Sequence, residues 1–197
     1  MGQDQNKKPS EMNPEDLPDV RAFSDEFTLD FLQSTEETRD GYYPFLSGTG
    51  NYKVDFPAEG EIDERMYSIK EKRHEEVPIS IKDDTGFSMQ ITYYSHHKAD
   101  QINSYLENFK LLIGYDGDFR KLEKKNQSLY YTGFERNGFR SYAGNVQNEK
   151  GTGGIEVVYD IDCRDKKEKT CSENKQDDEE RVMEWLESVQ FVNAGEK

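Results

Sequence analysis

Three histidines, two cysteines and several paired acids are the residues of this chain whose types allow chemistry. His96-His97 stands between a strand-like run and a helical one, and adjacent imidazoles can bind a metal or relay protons. A metal site needs companions at ligand spacing, and no Cys or third His is placed to complete one. His74 lies inside Glu71-Lys72-Arg73-His74-Glu75-Glu76, the composition of a charged edge or loop. All three therefore read as solvated side chains. Asp83-Asp84 and Asp116-x-Asp118 are acid pairs without the twelve-residue calcium-loop pattern, so they read as turns and no metal ligand is assigned. Gly151-Thr152-Gly153-Gly154 precedes a strand rather than a helix and lacks the Lys-Ser/Thr pair of a phosphate loop. No Gly-x-Ser-x-Gly elbow and no Cys/His signature is present. Cys163 and Cys171 flank a polar, lysine-rich stretch. In an exported protein they close a short disulfide loop, and in the cytosol they remain two thiols. Catalytic residues are thus expected to be none, cofactors none, and the binding residues stay unassigned.

Around these residues the pattern predicts the elements that would position them. Tyr52, Val54 and Phe56 alternate, and with Tyr42-Tyr43-Pro44-Phe45-Leu46 they flank Ser47-Gly48-Thr49-Gly50-Asn51, a hairpin. Residues 66–70 read as a short strand. Val77, Ile79 and Ile81, then Phe87, Met89, Ile91 and Tyr93, alternate on either side of a turn at 83–86. Pro78 places its strand at an edge or at a strand start. Ile102, Tyr105, Leu106, Phe109, Leu112 and Ile113 share one face of a helix over 99–113 that Gly114 stops. Four strands follow at 119–125, 128–135, 139–147 and 155–162, with Asn137-Gly138 as a hairpin turn, and form an antiparallel meander. Asp177, Asp178, Glu179 and Glu180 open a last helix whose apolar face is Val182, Trp185, Leu186 and Val189. Phe191-Val192 then packs back on the sheet. Paired tyrosines such as Tyr93-Tyr94 and Tyr130-Tyr131 put one ring on each face of a strand. Either both faces are covered, or one is partly open and its tyrosines make contacts.

The chain has 197 residues, enough for one domain and a tail, and a net charge of −15. Such a surface repels phosphate backbones and anionic lipid heads, so nucleic-acid binding and direct electrostatic docking to a membrane are not expected. Aromatic content of 12% argues for a real core despite only 32% hydrophobic residues. No apolar run approaches the ~18 residues of a membrane span. The first eighteen residues are polar with three prolines and have little to bury.

The order of elements, Tyr52-Lys53-Val54-Asp55-Phe56-Pro57 near the start, and Glu187-Ser188-Val189-Gln190-Phe191 at the end resemble the PsbP/Mog1-like domain. The polar leader ahead of an acidic domain resembles the mature end of Bacillus-type lipoproteins, in which a lipidated cysteine is followed by Gly or Ser. Here Gly2 would follow it. These resemblances imply an α+β fold, an antiparallel sheet flanked by helices as an α/β/α sandwich. Residues 1–22 would form a disordered tether after a lipidation site, and residues 23–197 a single domain. They also imply a non-catalytic, monomeric lipoprotein anchored at the outer face of the cytoplasmic membrane and binding a protein or cell-wall partner. Export in turn favours the Cys163–Cys171 disulfide. Two other readings stand beside this one: a soluble hydrolase with a site of scattered carboxylates and His96 or His97, and a cytosolic adaptor.

Overall fold

The computed structural model describes residues 7–82, 87–164 and 175–192, the side chain of Phe87 excepted. Two antiparallel sheets organise them. Strands β1 (Tyr42–Leu46) and β2 (Tyr52–Pro57) form the expected hairpin, and β11 (Gln190–Phe191) adds to β2. The other strands are β3 (Gly60–Ile62), β4 (Ser68–Lys70), β5 (His74–Ile81), β6 (Phe87–Tyr94), β7 (Arg120–Glu123), β8 (Gln127–Arg136), β9 (Phe139–Asn148) and β10 (Gly154–Asp162). They build a large sheet in the order β3-β5-β6-β10-β9-β8-β7, with β4 beside β5. The meander is as expected, and the β8–β9 turn has Asn137 and Gly138 at φ 50 and 82, as a two-residue hairpin requires.

Helices cover both faces of the large sheet. Short helices α1 (Arg21–Ser24) and α2 (Glu26–Leu29) precede the strands, α3 (Ile102–Ile113) joins β6 to β7, and α4 (Lys175–Glu187) follows β10. Ala143 packs with Phe109 and Ile113 of α3, whereas its neighbour Gly144 meets Leu186 of α4. Alternation along β9 thus places the two helices on opposite faces. The larger core, on the α4 face, gathers Phe45, Tyr52, Phe56, Ile91, Ile155, Trp185 and Leu186. Both sheets are tied across it. Trp185 Nε1 donates to the Asp55 carbonyl at 2.7 Å, and the buried Glu75 carboxylate accepts from Gly48 N at 2.7 Å and the Tyr67 hydroxyl at 3.0 Å. Asp178, expected only to favour the helix dipole, is buried and bridges Arg140 on β9 at 2.8 Å.

Four expectations change. Pro78 is not on an edge strand, because β5 runs between β6 and the β3/β4 pair. Its carbonyl accepts from Asp63 N at 3.0 Å, so its missing N–H faces the gap between β3 and β4, where no ladder bond is lost. Leu112 does not join the buried stripe of α3. Leu106, Phe109 and Ile113 are buried, while Leu111 and Leu112 are 82% and 73% exposed. Leu112 sits on the flank of the stripe, turned away from the Ala143 contact that buries Ile113 beside it. The strand expected from Met66 begins only at Ser68, and Met66 is exposed. Over 1–22, residues 7–22 carry two 3₁₀ turns, at Pro9–Glu11 and Pro14–Asp16, with Pro9 buried. Leu17, Val20 and Ala22 pack against the main core, so packing begins ahead of Phe23. The turn expected at 83–86 lies outside the described residues. Cys163 is disulfide-bonded, while Cys171 lies outside the described residues, so their pairing remains a proposal.

Candidate functional site

Residues on the α3 face of the large sheet follow from the register. Thr92 on β6 faces Glu76 on β5 and Glu156 on β10, and Glu156 faces Asn145 on β9. One residue pair along, His74, Tyr94, Gly154 and Gln147 form the next row. These are polar rows on a face whose apolar contact with α3 centres on Ala143 and Val158.

All three histidines gather at this end. His97 is 4% exposed, not solvated. Its ring stacks between Tyr94, with centroids 4.5 Å apart, and Tyr105 of α3, at 3.7 Å. Gly154 makes the room, since a Cβ there would stand 2.6 Å from His97 Nδ1. The backbone is held too, with Gly153 N donating to the His97 carbonyl at 2.8 Å. His74 lies against Tyr94 at 5.0 Å and bonds Glu76 at 3.0 Å. His96 stays exposed, its ring edge toward His97 at 5.0 Å. Solvation is the wrong expectation for His97 because Gly154, lacking a Cβ, leaves room on the sheet that Tyr94 and Tyr105 close on either side of the ring. His96 and Lys98 on either side of it are exposed, so the local sequence carries no signal for its burial.

Burial sets the ionisation of this cluster. Glu156 is 6% exposed, and desolvation raises its carboxyl to about 7, opposed by a hydrogen bond from the Tyr94 hydroxyl. Tyr94 is pushed up to about 12 by burial and by the charges of Glu156 and Glu76. Desolvation, with His96 nearby, lowers His97 to about 4. Near neutral pH the pocket holds a neutral imidazole, a phenol and a carboxyl at its midpoint. These three groups can share a proton, but His97 and Glu156 are buried away from solvent.

An open groove lies along the same face where α3 does not reach. It has a volume of about 250 Å³ and a floor of Pro78, Ser80, Ser88, Gln90 and Val158. Asp63, Asp160 and the exposed Met66 border it. Asp160 is engaged by Ser141 at 2.5 Å and Arg136 at 3.3 Å. Asp63 Oδ1 accepts from Arg65 N at 3.0 Å. Of the other acid pairs, Asp118 is fully exposed, 3.8 Å from Lys110, and Asp83-Asp84 lies outside the described residues. Among the described residues no group of three or more His, Cys, Asp or Glu is placed to hold a metal ion. No described helix is long and apolar enough to cross a membrane.

Residues 18–190 match the family described as "Putative lipoprotein YvcA". The protein of that name from Bacillus subtilis strain 168 is 29% identical over 199 residues, covering 94% of this chain and 82% of the relative. The Saccharomyces cerevisiae Ran-binding protein Mog1p superposes with a TM-score of 0.52 at 7% identity, over 78% of this chain and 97% of Mog1p. A mutant of protein Mog1 superposes with the same score at 6% identity. At such identities the likeness is one of fold: antiparallel sheets with helices in the Mog1 arrangement.

Proposed function

Since the chain belongs to the YvcA family of lipoproteins, we propose that it is a non-catalytic envelope lipoprotein, anchored at the outer face of the cytoplasmic membrane, that binds a protein partner. The observation that carries the binding reading is the groove beside α3, an uncovered strip on the sheet face against which that helix packs. Asp63 and Asp160 border it in a chain of net charge −15, so a basic segment of a protein partner is the occupant its charge suits. The Ran-binding name of the fold relative Mog1p fits a protein-binding use of this architecture, as analogy only.

The anchoring part is tested on the native gene. A cysteine codon directly before Gly2, membrane recovery of the native protein, and its release on mutating that cysteine are the expected outcomes. Recovery in the cytosol with an unprocessed N-terminus would overturn it. The binding part is tested with a photo-crosslinking residue in place of Met66 in the anchored protein. Salt-sensitive crosslinks to a defined basic protein are expected. Crosslinking unchanged by Asp63→Asn would exclude the groove.

A second reading has one observation in its favour. His97 and Glu156, with ionisations shifted in opposite directions, do converge around Tyr94, as a hydrolase would require. Their burial weighs against it, because a substrate needs hydrogen-bond reach to both. Turnover of ester or amide substrates abolished by Glu156→Gln would establish it.

A further inference from the structure

The same buried cluster links helix to sheet by contact. Tyr105 of α3 stacks on His97, His97 stacks on Tyr94, and the Tyr94 hydroxyl bonds Glu156 on β10. His97 Nδ1 and both amide atoms of Asn145, the fully buried register partner of Glu156, have no protein partner. Lifting the first turns of α3 therefore takes Tyr105 off the His97 ring and, through the stack, frees the Tyr94 ring that bonds Glu156. We propose that Glu156 and His97 form a proton-compensated clamp, which holds α3 on the large sheet at nearly constant strength while the external pH changes.

The geometry sets two opposed requirements. A seated α3 needs His97 uncharged, since a ring buried between two tyrosines has no acceptor at Nδ1 for a second proton. It also needs Glu156 protonated, since an ionised carboxylate there would have one phenol donor and little water. The groups facing this pair come from five neighbouring parts of the chain. On β6 it is Tyr94, on β5 Glu76 and His74, on the connection His96, on α3 Tyr105, and on β8 Tyr130, the partner of Asn145. The charged residues of α3, Glu107 and Lys110, pair with each other at 3.0 Å. No cation is placed beside Glu156 by these contacts.

The signs then follow by linkage. Glu156, raised from 4.5 to about 7 in the seated form, makes lifting easier as pH rises between those values. His97, lowered from 6.5 to about 4, makes lifting easier as pH falls between those values. The windows overlap almost completely, so the two slopes cancel. An exported protein meets unbuffered medium, where such cancellation keeps a surface helix in place.

Hydrogen exchange of the α3 amides, corrected for intrinsic rates, tests the proposal on the full chain. In the unmodified protein the lifting equilibrium is expected to stay within about threefold from pH 3 to 9. In His97→Phe, which keeps the stack, lifting should rise on the order of a hundredfold from pH 4.5 to 8. In Glu156→Gln it should rise by a similar factor from pH 7 down to 3. Amides of β9 should not follow either change. Two variants with the flat profile of the parent would overturn the clamp. If either variant fails to fold, carboxyl and ring resonances of the parent decide. Glu156 titrating in the ordinary carboxylate range, or His97 in the ordinary imidazole range, would equally overturn it.

Discussion

At the scale of single residues, two buried charges set measurable stabilities. Glu156 binds its proton more tightly folded than unfolded. Its stabilising contribution is fully present below about pH 4.5 and is lost as pH rises through about 7, at most about 3 kcal/mol. Glu156→Gln should therefore match the parent near pH 4 and exceed it in thermal stability at pH 8. Equal melting temperatures at pH 8 would contradict the raised carboxyl. Asp178 behaves differently, because Arg140 beside it is buried and its guanidinium cannot lose its proton. Asp178→Ala should cost about 3–5 kcal/mol in urea unfolding, and adding Arg140→Met should recover most of it. None of this was legible in the sequence. Asp178 was one of four consecutive acids, and only the fold selects which of them turns inward.

Elements were read more completely than residues, for a physical reason. Period-two and period-3.6 patterns record which face is buried, and they gave the hairpin, the meander and both long helices. They do not record where a neighbour ends, so they place Leu112 in the buried stripe of α3 and Pro78 at an edge or a strand start, whereas Pro78 lies inside β5. Exposed Leu111 and Leu112 should accept a double change to Ser within about 0.5 kcal/mol, read by urea midpoint. Gly144 should not accept even a methyl group. Its Cβ would sit 2.7 Å from both Leu186 methyls, where α4 crosses β9. Gly144→Ala is expected to cost about 1–3 kcal/mol by overpacking. The candidate site was the least legible part. It arises where β10 lies next to β6, a pairing across the whole α3–β9 segment that no local pattern announces.

For the whole molecule, the termini of the domain close on each other. Cys163 directly follows β10 with its N–H on the Gly138 carbonyl, and the proposed bridge to Cys171 would tether the approach of α4 to this point. Titration of the denatured, unreduced protein should find no free thiol. Beyond that tether, α4 must still reach the hairpin, where Trp185 bonds Asp55 across 130 positions of sequence. The order of synthesis follows from this contact. A chain emerging from its N-terminus makes the β1–β2 hairpin early, but two of its partners arrive with the last residues. Until then the Asp55 carbonyl lacks its Trp185 donor and the edge of β2 lacks β11. Contacts of such long span also place refolding among slow, non-local topologies, in the millisecond-to-second range. A nascent chain lacking α4 should thus stay open to proteases, and protection should appear in one late step as α4 is released. If the chain is exported unfolded, as the proposed location requires, that delay is an advantage.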